Sequence, residues 1–174
     1  MPITIGPFSN VPSPGDPITS PWPQQLTQYV VDRSPQFAAA IGSDVTIGPD
    51  STWVTIPFTN IHVNIGSRYN GTSWTAPRAG VIRVTWSADI AAGNTAGNYD
   101  AIADYNANTS ILLNAQNVVI ASTNSRFGAA TLAGSVLASV AAGNTVHPQA
   151  MLNAPGKFKT VKAGVGSILI EYVT

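Results

Sequence analysis

A chain of 174 residues with 44% apolar side chains has the material for one sizeable core and an arm. Charged residues make up only 9%, against roughly 25% in an ordinary soluble domain. Eight acidic residues cancel eight basic ones, which removes the electrostatic case for nucleic acid, and the absence of cysteine excludes disulfides and thiolate metal sites.

Seven of the thirteen prolines fall at positions 2, 7, 12, 14, 17, 21 and 23. Proline fixes φ and donates no hydrogen bond, so residues 1 to about 20 read as an extended arm. Ser20 as N-cap, Pro21 in the first turn and Trp22, Leu26, Tyr29 and Val30 at helical spacing predict one short helix over 21–33, stopped at Ser34 and Pro35. The opening "MPITIGPFSNVPSPGDP" lacks the basic and continuous apolar regions of a secretory signal, and no run approaches the roughly 18 apolar residues of a membrane span. Synthesis in a cytoplasm without membrane insertion is the expectation.

From about Val45 the period changes to two, which sets the expected division: an anchoring arm over 1–44 and a head over 45–174. Val54, Ile56 and Phe58 share one face, but Ile61, Val63 and Ile65 are out of phase with them, which predicts a bulge or corner between the two sets. Asn70-Gly71 reads as a hairpin-type turn. In "GVIRVTWSADI", Ile82, Val84, Trp86, Ala88 and Ile90 alternate with Arg83, Thr85, Ser87 and Asp89, so this strand has one wet side. Residues 91–98 read as loop, and Tyr99 to Tyr105 as a short strand. Two strands flank Ala115 to Asn117. Leu132, Gly134, Val136, Ala138 and Val140 share a face, and a turn at Ala142-Gly143-Asn144 leads into Val146 to Leu152. In the closing "GSILIEYVT", Ile168, Ile170 and Tyr172 alternate with Leu169, Glu171 and Val173. A strand apolar on both faces is central in a core or buried against another subunit, so Leu169, Tyr172 and Val173 are candidate interface residues. Strands of this length, punctuated by turns, predict an all-β sandwich or jelly roll.

The order of the motifs "YNGTSWTAPRAGVIRVTWSADI", "ILLNAQNVVIAST", "LAGSVLASVAAGNTV" and "AGVGSILIEYV" resembles the globular head of the C1q and tumour-necrosis-factor superfamily over residues 45–174. Trp74 to Gly80 correspond to the segment preceding its central strand, Val140 to Val146 to a later turn, and Gly166 to Val173 to its last strand. Ile82 stands where an aromatic residue is usual there, and Asn144 where an acidic one is. The resemblance implies a C1q/TNF-like jelly-roll β-sandwich and a homotrimer. "PGDPITSPWPQQLTQYVVDR" is similar to the segment opening minor tail proteins of phages that infect actinobacteria. Together these imply a virion structural protein of a phage, at the tail or tail tip. The alternatives are a capsid decoration or head-fibre protein, and an adhesin for a host-surface glycan. In the arm, Ile3, Ile5, Phe8, Val11 and Ile18, followed by Trp22 and Leu26, are the candidate docking residues for other virion proteins.

The chain carries no sign of catalysis. His62 and His147 lie alone in alternating apolar stretches, Gly156-Lys157 lacks the rest of a phosphate loop, and Asp100 and Asp104 among asparagines fit turns without an ion. No enzyme, cofactor or metal site is expected. The aromatic residues Trp53, Tyr69, Trp74, Tyr99 and Tyr105 are the remaining candidates for stacking on a sugar or filling a pocket, against a role in the core.

Overall fold

The computed structural model describes residues 35–48, 50–93, 105–113, 116–125 and 129–173. The expected helix over 21–33 and the arm's docking residues lie outside them. The described strands in chain order are β1 (Phe37–Ala40), β2 (Val45–Thr46), β3 (Val54–Thr55), β4 (Asn60–Asn64), β5 (Trp74–Thr75), β6 (Gly80–Gly93), β7 (Tyr105–Leu113), β8 (Gln116–Ser125), β9 (Ala129–Val140), β10 (Thr145–Asn153), β11 (Phe158–Val161) and β12 (Ser167–Tyr172). They build two antiparallel sheets, one of seven strands and one of five.

The spine of the larger sheet is β6. Its alternation is resolved as the sequence dictates, with Ile82, Val84, Trp86, Ala88 and Ile90 without exposed surface and Arg83 and Thr85 in solvent. Each large apolar side chain buried in this way stabilises the fold by roughly 1.5–3 kcal/mol. One flank of β6 pairs with β9 from Gly80 to Ala91. The other flank takes β12 along Ile82 to Ser87 and β11 along Ile90 to Gly93. Outside these lie β1 on β12 and β2 on β11, and β4 closes the edge on β1. The smaller sheet runs β8, β7, β10, with β3 and β5 sharing the far flank of β10.

Between the sheets, Phe58 meets Trp86 edge to face at 6.2 Å, Trp74 meets Tyr172 at 6.3 Å, and Phe37 stacks on Tyr69 at 4.4 Å. The Tyr69 hydroxyl accepts from the Phe58 N–H at 2.8 Å and donates to the Gly71 carbonyl at 2.7 Å. Burial pushes its pKa up, which keeps the proton needed for the second bond. The Asn70-Gly71 turn forms as expected. Gly71 takes φ 101°, open to glycine at little cost, and the Asn70 carboxamide oxygen accepts from the Thr72 and Ser73 N–H groups.

The phase slip after Phe58 is a change of sheet, because β3 belongs to the five-stranded sheet and β4 to the seven-stranded one. Two boundaries differ from expectation. The folded sheet begins at Phe37, inside the expected arm, since β1 pairs with both β12 and β4. Residues 91–93, expected as loop, continue β6 and pair with β11. In both places alanines stand on both faces of the strand, so hydropathy alternation is weak while backbone pairing is complete. The hairpin around residues 114–115 has longer arms than expected, β7 and β8. Tyr105 opens β7, and the remainder of the expected strand from Tyr99 lies outside the described residues.

The segment from β1 to β2 follows the segment from β12 back to β11, and this part of the chain is fastened at two points, one between the strands at Asp44 and one beyond β2 at Asp50. The Asp44 carboxylate accepts from the Ala163 N–H and from Lys162 Nζ, both at 2.8 Å. Asp50 accepts from Lys159 Nζ at 2.7 Å and from the Ala154 N–H at 2.9 Å. These contacts hold both carboxyls below the usual aspartate value, the backbone N–H leading at Asp44 and the lysine at Asp50. Lys159 is buried at 7% exposure, where an ammonium requires such a partner.

Candidate subunit interface

Alternation in β6, β9, β12 and β1 places every second side chain on the outward face of the seven-stranded sheet. Strand register arranges them in rows. Ser135, Thr85, Leu169, Ala38 and Val63 follow one another across the sheet. Leu137, Arg83 and Glu171 form the next row, and Ala133, Ser87, Ser167 and Ala40 the row on the other side. Short side chains in adjoining rows leave a broad face of low relief, suited to close approach by a second surface.

Two of its charges are paired and one is hydrogen-bonded: Arg83 Nη1 lies 3.0 Å from Glu171 Oε1 across the β6–β12 pair, and Asp89 accepts a hydrogen bond from the Thr131 hydroxyl. Ser87 and Ser167 hydroxyls meet at 3.0 Å, so even the polar groups of the middle rows are partly satisfied within the face. Leu137 is 60% exposed, at the end of the Arg83 row. Apart from the Arg83–Glu171 pair and Asp89, the face carries apolar and small neutral groups, a composition that suits an interface interior.

The interface candidates separate. Leu169 and Val173 are half-buried, and β12 lies between β6 and β1 with Leu169 in the central outward row. Tyr172 faces the other way: it is 7% exposed, packs against Trp74, donates from its hydroxyl to the Arg78 carbonyl at 2.7 Å, and receives the Arg78 guanidinium 4.0 Å above its ring. Tyr172 is a core residue of this chain, and its ring is inward because it continues the Ile168 and Ile170 series. Leu137, Ala38 and Val63 were not singled out from sequence. Leu137 was detectable, as the one large apolar residue among Ala133, Ser135 and Ser139 on the wet side of β9.

The remaining candidates scatter. His62 is exposed on edge strand β4, and His147 is half-buried on β10 with Nε2 3.1 Å from Thr145 Oγ1. Trp74 and Tyr69 belong to the core at 1% and 6% exposure, while Trp53 is half-buried. Tyr99, Asp100 and Asp104 lie outside the described residues. Among the described residues no three His, Asp or Glu side chains gather at metal-binding distance, and no helix is long and apolar enough to cross a membrane.

No protein-family model and no curated protein matches the sequence. Solved structures do match in fold. The globular domain of zebrafish complement 1qA protein superposes with TM-score 0.52 at 10% identity, covering 81% of this chain and 98% of that one. Murine APRIL superposes with TM-score 0.51 at 7% identity, covering 78% of this chain and 96% of that one. At such identities the likeness is one of fold, and the fold is the C1q/TNF-like jelly-roll β-sandwich.

Proposed function

We propose that this chain is a non-enzymatic structural protein of a phage particle, at the tail or tail tip, whose head assembles as a homotrimer. The observation that carries the assembly reading is the outward face of the seven-stranded sheet. It is broad, carries short neutral side chains around one internal ion pair, and bears Leu137 in solvent. Closed symmetry is the usual way for identical chains to cover such a face, and the C1q/TNF-like fold agrees with a threefold arrangement. The phage address is supported by the opening segment "PGDPITSPW" and its likeness to minor tail proteins. In this reading the proline-rich arm lays Ile3, Ile5, Phe8, Val11 and Ile18 across a neighbouring virion protein, at reduced entropic cost because its backbone is already restricted.

Sedimentation equilibrium of the full chain tests the assembly. A mass of three chains is expected, and a monomer at tens of micromolar would overturn it. Removing residues 1–22 tests the anchor: the truncated chain should remain folded by circular dichroism and fail to join particles. Its normal incorporation would sink the docking role. Electron microscopy of labelled particles distinguishes a tail location from a capsid one.

A further inference from the structure

We propose that Asn70 is a site of spontaneous covalent modification, at which the side-chain amide gives way to the Gly71 nitrogen and the turn gains a negative charge. Of all the asparagines in the chain, only Asn70 is followed by glycine. That neighbour matters because ring closure needs the next backbone nitrogen to reach the carboxamide carbon, and a side chain on the next residue crowds the approach. Here the approach is open. Asn70, Gly71 and Thr72 are exposed, a Cβ placed at Gly71 would meet nothing within 4 Å, and the Gly71 N–H makes no hydrogen bond among the described residues. Solvent base can therefore take its proton without first breaking a contact.

The turn also prepares the carboxamide. Asn70 Oδ1 accepts from the Thr72 and Ser73 N–H groups at 3.0 and 2.9 Å, and from their hydroxyls at 3.2 and 3.3 Å. The bond from the Thr72 N–H closes a ring of atoms that contains both Cγ and the Gly71 nitrogen, so the carboxamide is folded forward over the peptide bond that attacks it. Four donors on one oxygen polarise the C=O. They stand where negative charge collects when the nitrogen adds to Cγ, the arrangement that stabilises an oxyanion.

The step needs no reactant beyond water and hydroxide. The Gly71 nitrogen, its proton taken by hydroxide, bonds to Asn70 Cγ; the Cγ–Nδ2 bond breaks and ammonia leaves, giving a succinimide. Water then opens the ring. Cleavage between Cγ and the nitrogen yields aspartate, whereas cleavage on the backbone side yields isoaspartate, with the chain running through Cγ. Aspartate keeps the oxygen and its four donors, and a charged acceptor strengthens such bonds. Isoaspartate lengthens the backbone between Tyr69 and Gly71, which disturbs the 3.1 Å bond from the Asn70 N–H to the Ser73 carbonyl and the 2.7 Å bond from the Tyr69 hydroxyl to the Gly71 carbonyl. Because the same hydroxyl accepts from the Phe58 N–H, that product reaches the core. The modification does not depend on the phage reading.

Trypsin releases residues 69–78 as one peptide, bounded by Arg68 and Arg78, in which Asn70 is the only amide side chain, so mass spectrometry assigns the change without ambiguity. The full chain held at mildly alkaline pH should exchange ammonia for water at this peptide, and isoelectric focusing should show one added negative charge on a chain whose formal net charge is zero. Conversion should run at least roughly tenfold faster in the folded chain than in the same chain unfolded in guanidinium chloride. Thr72→Val with Ser73→Ala, which removes the two hydroxyl donors, should slow the folded rate by a similar factor and leave the unfolded rate unchanged. Ser73 is buried, so Thr72→Val alone, with a smaller slowing, serves where the pair does not fold. A folded rate at or below the unfolded one would overturn the proposal by showing that the turn shields Asn70, and so would folded hydroxyl variants that convert as fast as the parent.

Discussion

The two sheets of this sandwich obey the same alternation but treat their outward faces in opposite ways. On the seven-stranded sheet many outward groups stand in solvent: Arg83 and Thr85 on β6, Ser135 and Leu137 on β9. On the five-stranded sheet the outward centre is polar and hidden, with Asn108, Ser110 and Gln149 all below a tenth exposed. An antiparallel sheet is expected to be dry on one side only. The outward centre of one sheet is therefore hidden while the outward face of the other stays open, and only the open one offers surface to a second chain.

The largest effect that sharpens this contrast comes from the side the two sheets share. Trp86→Ala empties a fully buried site against Phe58 and should lower stability by about 3–5 kcal/mol, read as a drop in the denaturation midpoint. Thr85→Ala, one residue away on the outward face, should change monomer stability by less than about 0.5 kcal/mol. Equal losses at both positions would remove the inward–outward distinction on which the interface rests.

Gly134 offers the next test, at the point where β8 and β9 approach. A Cβ there would lie 2.9 Å from the Ile120 carbonyl oxygen, a backbone atom that cannot rotate aside. Gly134→Ala should destabilise by about 1–3 kcal/mol through overpacking, checked by urea unfolding, and a neutral result would mean that the two strands are further apart. On the open face, Leu137→Glu should leave the thermal melt of the monomer nearly unchanged but weaken self-association roughly tenfold or more, about 1.4 kcal/mol. Sedimentation equilibrium reads the difference, and unchanged association would move the interface elsewhere.

The contrast was partly readable in the sequence. Strand β6 carries large apolar residues on one face and polar or small ones on the other, so period alone assigned its sides, whereas β12, apolar on both faces, left Tyr172 among the interface candidates until packing turned it inward. Phe37–Ala40 and Ala91–Gly93 escaped because alanine is equally at home on either face, and their strand character comes from backbone pairing with distant segments. The fastenings at Asp44 and Asp50 were equally hidden. Asp44 meets a lysine 118 residues away and Asp50 one 109 residues away, and nothing local to an isolated aspartate announces such a partner. The outward pair Ser110 and Gln149 reads as an ordinary wet side until burial contradicts it.

Those two fastenings give the fold an acid dependence separate from either face. Both carboxyls sit below their usual value, so the stability they contribute is present above about pH 4 and drains away as pH falls through the lowered values. Asp44→Asn with Asp50→Asn should melt several degrees lower than the parent at pH 7, with the gap closing as pH falls below about 4 and through the lowered values. A gap independent of pH would show that the lysine contacts contribute nothing through charge.

The smallest effect belongs to Arg83 and Glu171. In the monomer the pair is partly exposed, 48% and 27%, and Arg83→Ala should cost the fold no more than about 1 kcal/mol once solvent screening is allowed for. Burial of the same face between subunits changes the arithmetic, because Glu171 would then lose its solvent and its partner together. Association should weaken more than folding, and the double change Arg83→Met with Glu171→Met should recover it, since an apolar pair of similar volume is often at least as stable as a buried ion pair. Measuring both quantities on both variants compares the pair in water with the pair in an interface. If the single variant lowers folding and association equally, the outward face of β6 is not the surface that meets a second chain.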